Sequence, residues 1–488
     1  MISAPTPRLT AVPTAGGFIR ADDVLSGKLS ASQATELEKQ YGNGKLIRLL
    51  EVVGAGGPFK VLSPWTLEDP EGRQIINASG YAALPFGDNP SELNAFVRQM
   101  LEQTDQVMFA QQSVSPWRAA LEANLVRLLA RESGEHHDSR VFFSNSGAEA
   151  IEAAIKFAAA ARPGAKYLIN FTRAYHGKTL GSLALTPNPS LQGPFKNILN
   201  PAVITLPYGD EADLERAIKR VGHEVIAVVL EPILGEAGVR LPPPGFLKRV
   251  GELCRPKGIL VIADEIQTGL GRAGHWFESV SQGLMPDIIT LAKPLGGGMV
   301  PVGATIVRHE IYKSLLGSIE TVKRHSSTFG GNLLAMAVGL KSLEMLLDND
   351  YPARSLRLGE IGLERLRATQ RRTPHLIEEV RGAGMLFAMN FHPLAKLPGG
   401  LQANLISEAT GMLALRTFYR GGVLLNFSLN AARTMRLTPA MNMPEELFHE
   451  MFARVNTAAE ENKASFKMVQ NYGGGDLATL LKAAFLEK

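Results

Sequence analysis

Short, mostly apolar runs recur through the middle of the chain: Val141–Phe143, Tyr167–Phe171, Val225–Leu230, Ile259–Ala263, Ile288–Ala292 and Gly303–Val307. Unbroken runs of this length suit strands covered on both faces, whereas half-exposed strands alternate. Helical patterns separate several of them, as at Ala148–Ala161 and Pro244–Cys254. That alternation predicts an α/β fold with a mostly parallel sheet and helices on both sides. Ligands of such sheets sit beyond the carboxyl ends of the strands.

The flanks read differently. Through about Gly57 the chain is punctuated by Pro and Gly around one helical stretch, Ser30–Tyr41, so residues 1–57 are expected to form an N-terminal arm. Gly72–Ala78 predicts a short hairpin strand. From about Ala353 a long helical segment leads to a strand at Met385–Phe391, then to a helix near Glu408–Arg420 and a strand near Gly422–Phe427. The expected organisation is a large domain over residues 116–352 and a smaller α+β domain. Residues 58–115 and 353–488 would build the smaller one.

Composition narrows the function classes. A chain of 488 residues, 45% hydrophobic and 20% charged, has an ordinary globular balance and room for more than one packed unit. Its formal charge is +4, and Arg354, Arg357 and Arg371–Arg372 are spaced like solvated helix faces. A nucleic-acid binder would present a clustered basic stripe. Cys254 is the single cysteine, which precludes an intrachain disulfide and argues against a cysteine-based metal site. No apolar run approaches membrane-spanning length, and MISAPTPRLT has no signal-type apolar core. The expectation is a soluble cytoplasmic protein with no metal and with no nucleic-acid or membrane partner.

The most specific chemical signal is a pair of strand ends. The run Gly258–Ala263 leads into Asp264-Glu-Ile-Gln-Thr-Gly269, and Ile288–Ala292 leads into Lys293-Pro-Leu-Gly-Gly-Gly. One strand delivers a carboxylate and the other an amine to the same sheet edge. Pyridoxal phosphate (PLP) needs that pairing: a lysine to hold its aldehyde as a Schiff base, and an aspartate to stabilise the protonated ring nitrogen. The same lysine then serves as general acid and base. Taken singly, Asp264 suits a turn and Lys293 an exposed surface.

Three weaker signals accompany the pair. In Ser144-Asn-Ser-Gly-Ala-Glu149 a strand enters a small-residue turn and a helix leaves it. Ser146 and Glu149 fit a capping box, and the N–H groups of Gly147 and Ala148 would form a phosphate seat at the helix start. An ordinary capped helix explains that stretch equally well. Tyr175, in Tyr175-His-Gly177, suits either a ring-stacking aromatic or a core residue. Thr328, in Ser326–Asn332, suits a hydroxyl donor to phosphate or a plain glycine loop. No Walker or G-x-G-x-x-G fingerprint is present, which disfavours a nicotinamide-dependent dehydrogenase.

In this order the pieces resemble the class-III (ω-) aminotransferases, PLP enzymes of fold type I, the aspartate-aminotransferase-like fold. The resemblance runs from about Gly72 to Pro439. It rests on SNSGAEAIEAAIK, YHGKTLGSLALT, EPILGEAG, GILVIADEIQTGLGRAG, DIITLAKPLGGGMVPVGATI, STFGGN and EVRGAGML. The GGGMVPVGATI and HSSTFGGN stretches look most like putrescine-type and related broad-specificity members. The resemblance implies that Lys293 is the Schiff-base lysine and that Asp264 pairs with the pyridine nitrogen. Gln267 would lie by the ring hydroxyl, and Gly147 and Ala148 would bind the phosphate. Tyr175 and Ile266 would flank the ring. Thr328 would reach the phosphate of the neighbouring subunit's cofactor, which implies a homodimer with its site at the interface. It also implies that Arg436 clamps the α-carboxylate of glutamate and that Glu236 pairs with Arg436 when no carboxylate is bound. Gly87-Asp-Asn-Pro90 departs from the family's usual Gly-His-x-His-Pro turn.

The expected activity is transamination between an amine donor, glutamate or a terminal amine, and an aldehyde, ketone or 2-oxo acid. A PLP-dependent aminomutase, racemase or decarboxylase would keep the same lysine and aspartate. A PLP-binding protein without turnover is the alternative of another class.

Overall fold

The structure, a computed structural model, describes residues 18–54, 56–108, 113–395 and 400–470. The first 17 residues of the expected arm and the last 18 of the expected small domain lie outside the described residues.

The strands, in chain order, are β1 (Lys60–Ser63), β2 (Thr66–Glu68), β3 (Gln74–Asn77), β4 (Arg140–Ser144), β5 (Tyr167–Phe171), β6 (Val203–Leu206), β7 (Val225–Leu230), β8 (Leu260–Asp264), β9 (Ile288–Leu291), β10 (Gly303–Val307), β11 (Ile377–Ala383), β12 (Leu386–Phe391), β13 (Val423–Leu424), β14 (Asn426–Phe427) and β15 (Thr434–Leu437). Seven of them form the central sheet in the order β4-β10-β9-β8-β7-β5-β6. Within it β10 runs antiparallel to both neighbours, and the other pairings are parallel. This is the mostly parallel sheet that the apolar runs predict. β7, Val-Ile-Ala-Val-Val-Leu, is buried at every position, as a strand covered on both faces must be. β6 escapes the apolar-run pattern because it is an edge strand of half-exposed residues.

The helix Gly147–Ala161 packs on β9 and β10. Ile151, Ala154 and Ala158 recur at helical spacing on its buried face, joined there by Phe157. A second sheet, β11-β12-β15-β14, is antiparallel throughout. The helices Tyr351–Arg372 and Glu445–Asn462 pack together beside it. A third sheet, β1-β2-β3-β13, joins strands from distant parts of the chain, with β13 parallel to β3.

Two expectations need correction. Gly422–Phe427 is not one strand. Val423 pairs with Ile76 in the third sheet, and Asn426 pairs with Arg436 in the second, so the chain changes sheet at the buried Leu425. The arm holds three helices rather than one: Ala21–Leu25, Ala31–Tyr41 and Gly44–Val53. Gly42 and Gly44 mask the junction of the last two, where Asn43 caps the third helix through Leu46 N.

Arg272 ties the loop after β8 to the strands of the second sheet. Its buried guanidinium donates Nη1 to the carbonyls of Met385 (3.3 Å) and Pro439 (2.5 Å), and burial pushes its pKa down to about 9. The sheet that carries Arg436 is thereby held against the central sheet.

Candidate active site

Parallel strands direct all their carboxyl ends to one edge. β8 ends on Asp264, β9 leads to Lys293, β7 leads to Glu231, β5 leads to Tyr175 and His176, and β4 leads to Ser146 and Gly147. The antiparallel β10 begins at the same edge and brings Met299–Val302 with it. These segments line one cavity of about 730 Å³. The structure thus brings together Gly147, Ala148, Tyr175, Asp264, Ile266, Gln267 and Lys293.

Asp264 is nearly fully buried, with both oxygens engaged. Oδ1 accepts from Ile266 N (3.1 Å) and Oδ2 lies 2.7 Å from His176 Nδ1. Burial lowers the His176 pKa, but the bond and the charge of Asp264 outweigh it and leave it raised. His176 Nε2 is buried without a partner. Glu231 lies nearby and accepts from Tyr175 N (2.8 Å) and Gly235 N (2.9 Å). Burial raises its carboxyl pKa, and the adjacent Asp264 adds to the shift.

Lys293 opens a short 3₁₀ turn, Lys293–Gly296, with φ at 38°. A lysine in the left-handed region costs of order 1 kcal/mol, a strain typical of functional positions. Burial lowers the pKa of its amine, and the charges of Glu236, Asp264 and Glu231 oppose that shift. An amine held below its ordinary value is a better nucleophile and base near neutrality.

Beside the cavity, Arg436 and Glu236 form a buried ion pair at 2.7 Å. Arg436 lies on β15, and Glu236 on the loop between Leu234 and Arg240 that two backbone hydrogen bonds close. Gln267 joins them: its Oε1 accepts from Arg436 Nη1 and its Nε2 donates to Glu236 Oε1, both at 3.1 Å. Leu429 N also donates to Glu236 (3.1 Å). Burial raises the Glu236 pKa, but Arg436 and these bonds reverse the shift and hold it below the ordinary value. The Tyr81 ring lies 5.8 Å from the Arg436 guanidinium.

The helix start at Gly147 differs from a full capping box. Ser146 Oγ accepts from Glu149 N (3.2 Å), but the Glu149 carboxylate takes Asn145 N (2.5 Å) instead of the Ser146 amide. Ala150 N donates to Ser146 O. The N–H groups of Gly147 and Ala148 stand at the positive end of the helix, where an anion is favoured. Thr328 does not join this cavity; it is exposed, in the loop whose Ser327 accepts from Asn145 Nδ2 (2.8 Å).

These residues fit PLP. A Cβ on Gly147 would come within 2.7 Å of Ile266 Cδ1, so the glycine keeps the cradle open. The cavity offers an anion seat, an amine, a carboxylate and an aromatic in one space. Among the described residues no group of three His, Cys, Asp or Glu is arranged to hold a metal ion, and no helix is long and apolar enough to cross a membrane.

Sequence alone assigns no role to His176 or Glu231. In the sequence His176 is the neighbour of Tyr175, and Glu231 opens the EPILGEAG stretch after an apolar strand. Their roles depend on β5, β7 and β8 being neighbours.

Behind Asp264, Glu265 points into the protein and accepts from Ser279 N (2.6 Å) and Oγ (2.7 Å). Next to it, Glu278 accepts from Gln282 Nε2 (2.7 Å), while its Oε2 is buried without a partner. Burial, helped by the charge of Glu265, pushes the Glu278 pKa up to about 7. The folded carboxyl therefore holds its proton more tightly than the unfolded one. The stability contributed by its neutral form is present at low pH and is lost as the pH rises from 4.5 through about 7. Glu278→Gln should remove that loss, worth on the order of 3 kcal/mol above neutrality. Urea unfolding of both proteins at pH 5 and pH 8 checks it: the gap between them should open at pH 8, and a gap independent of pH would exclude Glu278 as the cause.

A model of the aminotransferase class-III family matches residues 64–459. The chain is similar to the ornithine aminotransferase of Toxoplasma gondii at 26% identity and TM-score 0.75, over 91% of this chain and 98% of that one. It is similar to the acetylornithine aminotransferase of Elizabethkingia anophelis at 26% identity and TM-score 0.69, over 87% and 99%. An ω-aminotransferase of Paracoccus denitrificans shares the fold at 24% identity and TM-score 0.72, over 83% and 92%.

Proposed function

The chain belongs to the class-III aminotransferases, PLP-dependent enzymes of fold type I, and from that premise we propose that it moves amino groups between glutamate and an aldehyde or ketone lacking an α-carboxylate. The carrying observation is the buried Arg436–Glu236 pair. A carboxylate-bearing substrate takes the Arg436 guanidinium as a two-pronged donor, and Glu236 moves aside. An uncharged substrate leaves the pair closed, so no buried charge is stranded. One pocket thus accommodates both halves of the exchange.

When bound, PLP supplies an aldehyde that takes up the amino group and a ring that accepts the electron pair released at the substrate carbon. Lys293 is assigned as the residue that holds it, and Gly147 and Ala148 as its phosphate donors through their N–H groups. Tyr175 and Ile266 would flank its ring, and Gln267 would lie by the ring hydroxyl. Lys293 Nζ takes the proton from the amine-bearing carbon of the donor and gives one to the carbonyl carbon of the acceptor. Asp264 would place its carboxylate opposite the ring nitrogen, and His176 positions that carboxylate through their 2.7 Å contact. We infer a homodimer, with Thr328 serving the partner's cofactor; exposed Ile319 and Phe329 in the same stretch support a covered surface there.

Glutamate added to the purified enzyme should bleach the visible band of its bound cofactor and release one equivalent of 2-oxoglutarate. If the band is untouched by glutamate yet bleached by a diamine, the assignment of glutamate fails.

A further inference from the structure

Behind the loop that carries Glu236 stand three arginines. Arg381 lies on β11 in the same cross-strand row as Ala388 of β12 and Arg436 of β15, so Arg381 and Arg436 project from one face of the sheet. Arg381 Nε donates to Gly238 O (2.7 Å), which places its guanidinium against the loop. Arg240 leaves the same loop two residues later, at its closed neck. Arg173 stands on the adjoining segment. Asn430 Nδ2 donates to the carbonyls of Arg173 and Ala174, both at 3.0 Å, while Asn430 N donates to Glu236 O (3.0 Å). The two loops are thereby fastened together.

The charges in this group are unbalanced. Only Arg381 has an acidic partner among the described residues, the carboxylate of Glu379. Arg240 buries Nε without a hydrogen-bond partner. Arg173 holds φ at 65°, a left-handed conformation that costs a non-glycine residue of order 1 kcal/mol. Arg240 and Arg173 lower the pKa of Arg381, and Arg240 that of Arg173, each after burial as the larger cause. Like charges gathered at such cost mark a place for an anion. Three guanidiniums and one carboxylate leave a surplus of two positive charges, which matches a dianion, and planar guanidinium donors suit phosphate oxygens.

We propose that Arg173, Arg240 and Arg381 form an oxyanion site for a phosphate group, separate from the catalytic cavity and seated on the back of the Glu236 loop. None of the three lines the cavity itself. The ligand class is a small phosphate-bearing molecule or free phosphate, bound by charge and by guanidinium N–H donors.

The test is calorimetric titration of the PLP-saturated enzyme with inorganic phosphate at constant ionic strength set by chloride. The expected result is one saturable site per chain, weakened by about tenfold or more in Arg173→Ala/Arg240→Ala. Arg216→Ala, a surface change elsewhere, should leave binding as it was. Melting curves in phosphate-free buffer check that the double variant folds, and Arg381→Lys, which keeps the charge but loses the planar donor fork, should weaken binding as well. No saturable binding, or equal binding by the folded double variant, overturns the proposal. A glycerol phosphate titration separates the two sources: tighter binding than inorganic phosphate points to a phosphate ester, weaker binding to the free ion. Succinate binding tighter than either would overturn the assignment to phosphate.

Discussion

Lys293→Ala should lower kcat by about ten-thousand-fold or more, because general acid–base catalysis alone contributes about 10²- to 10⁴-fold and the nucleophile is lost with it. The loss should be chemical rather than structural. Lys293 is an amine whose pKa burial lowers, so its removal relieves a cost of burial instead of breaking a stabilising ion pair, while alanine, which keeps a Cβ, retains the strained φ. Compared without cofactor, the variant should therefore be about as stable to heat as the wild type. Lys293→Arg should fail almost as completely: a guanidinium is protonated throughout the neutral range and has no free electron pair to attack or to accept a proton. A small exogenous amine that restores part of the activity to Lys293→Ala, with a pH dependence set by that amine, would identify the missing group as the base. Stopped-flow single turnovers with glutamate give the rate directly. Wild-type turnover in Lys293→Ala would remove Lys293 from the mechanism.

The difference between what sequence and structure reveal follows the range of the signal. Asp264 and Lys293 are legible because each ends an unbroken apolar run, and a parallel sheet sends such ends to one edge. The helix start at Gly147 is legible for the same local reason. The His176–Asp264 contact spans residues 88 apart in the chain, and it exists only because β5, β7 and β8 are neighbours, an order no local pattern encodes. β15 is too short and polar to read as a strand, although its Arg436 is conspicuous within Met-Arg-Leu-Thr-Pro. Arg272 looks like one more loop cation in sequence; only the fold shows it buried against two carbonyls of the other sheet.

The second large effect concerns Arg436. Truncating one partner of a buried, hydrogen-bonded charge pair costs about 2–5 kcal/mol. Arg436→Ala removes the proposed carboxylate clamp and also strands Glu236, whose depressed pKa is held against burial chiefly by Arg436. Glutamate kcat/KM should fall by a factor on the order of 10² to 10³, the same energy read as a rate ratio. The activity of a terminal amine should fall far less, because that substrate makes no demand on the guanidinium. Glu236→Gln asks the converse question. It keeps the Gln267 contact but removes the charge that closes the pair, so Arg436 stays open and the site should favour carboxylate-bearing substrates more strongly than the wild type does. The double variant Arg436→Ala/Glu236→Gln should recover part of the stability lost in Arg436→Ala, since no unpaired carboxylate remains buried. Steady-state kinetics with glutamate and with a terminal amine, on all four proteins, supply the cycle. If both substrates lose equally in Arg436→Ala, the arginine supports the fold of the site and does not select between them. If glutamate alone loses and Glu236→Gln widens the gap, the pair is the element that lets one pocket serve two unlike substrates.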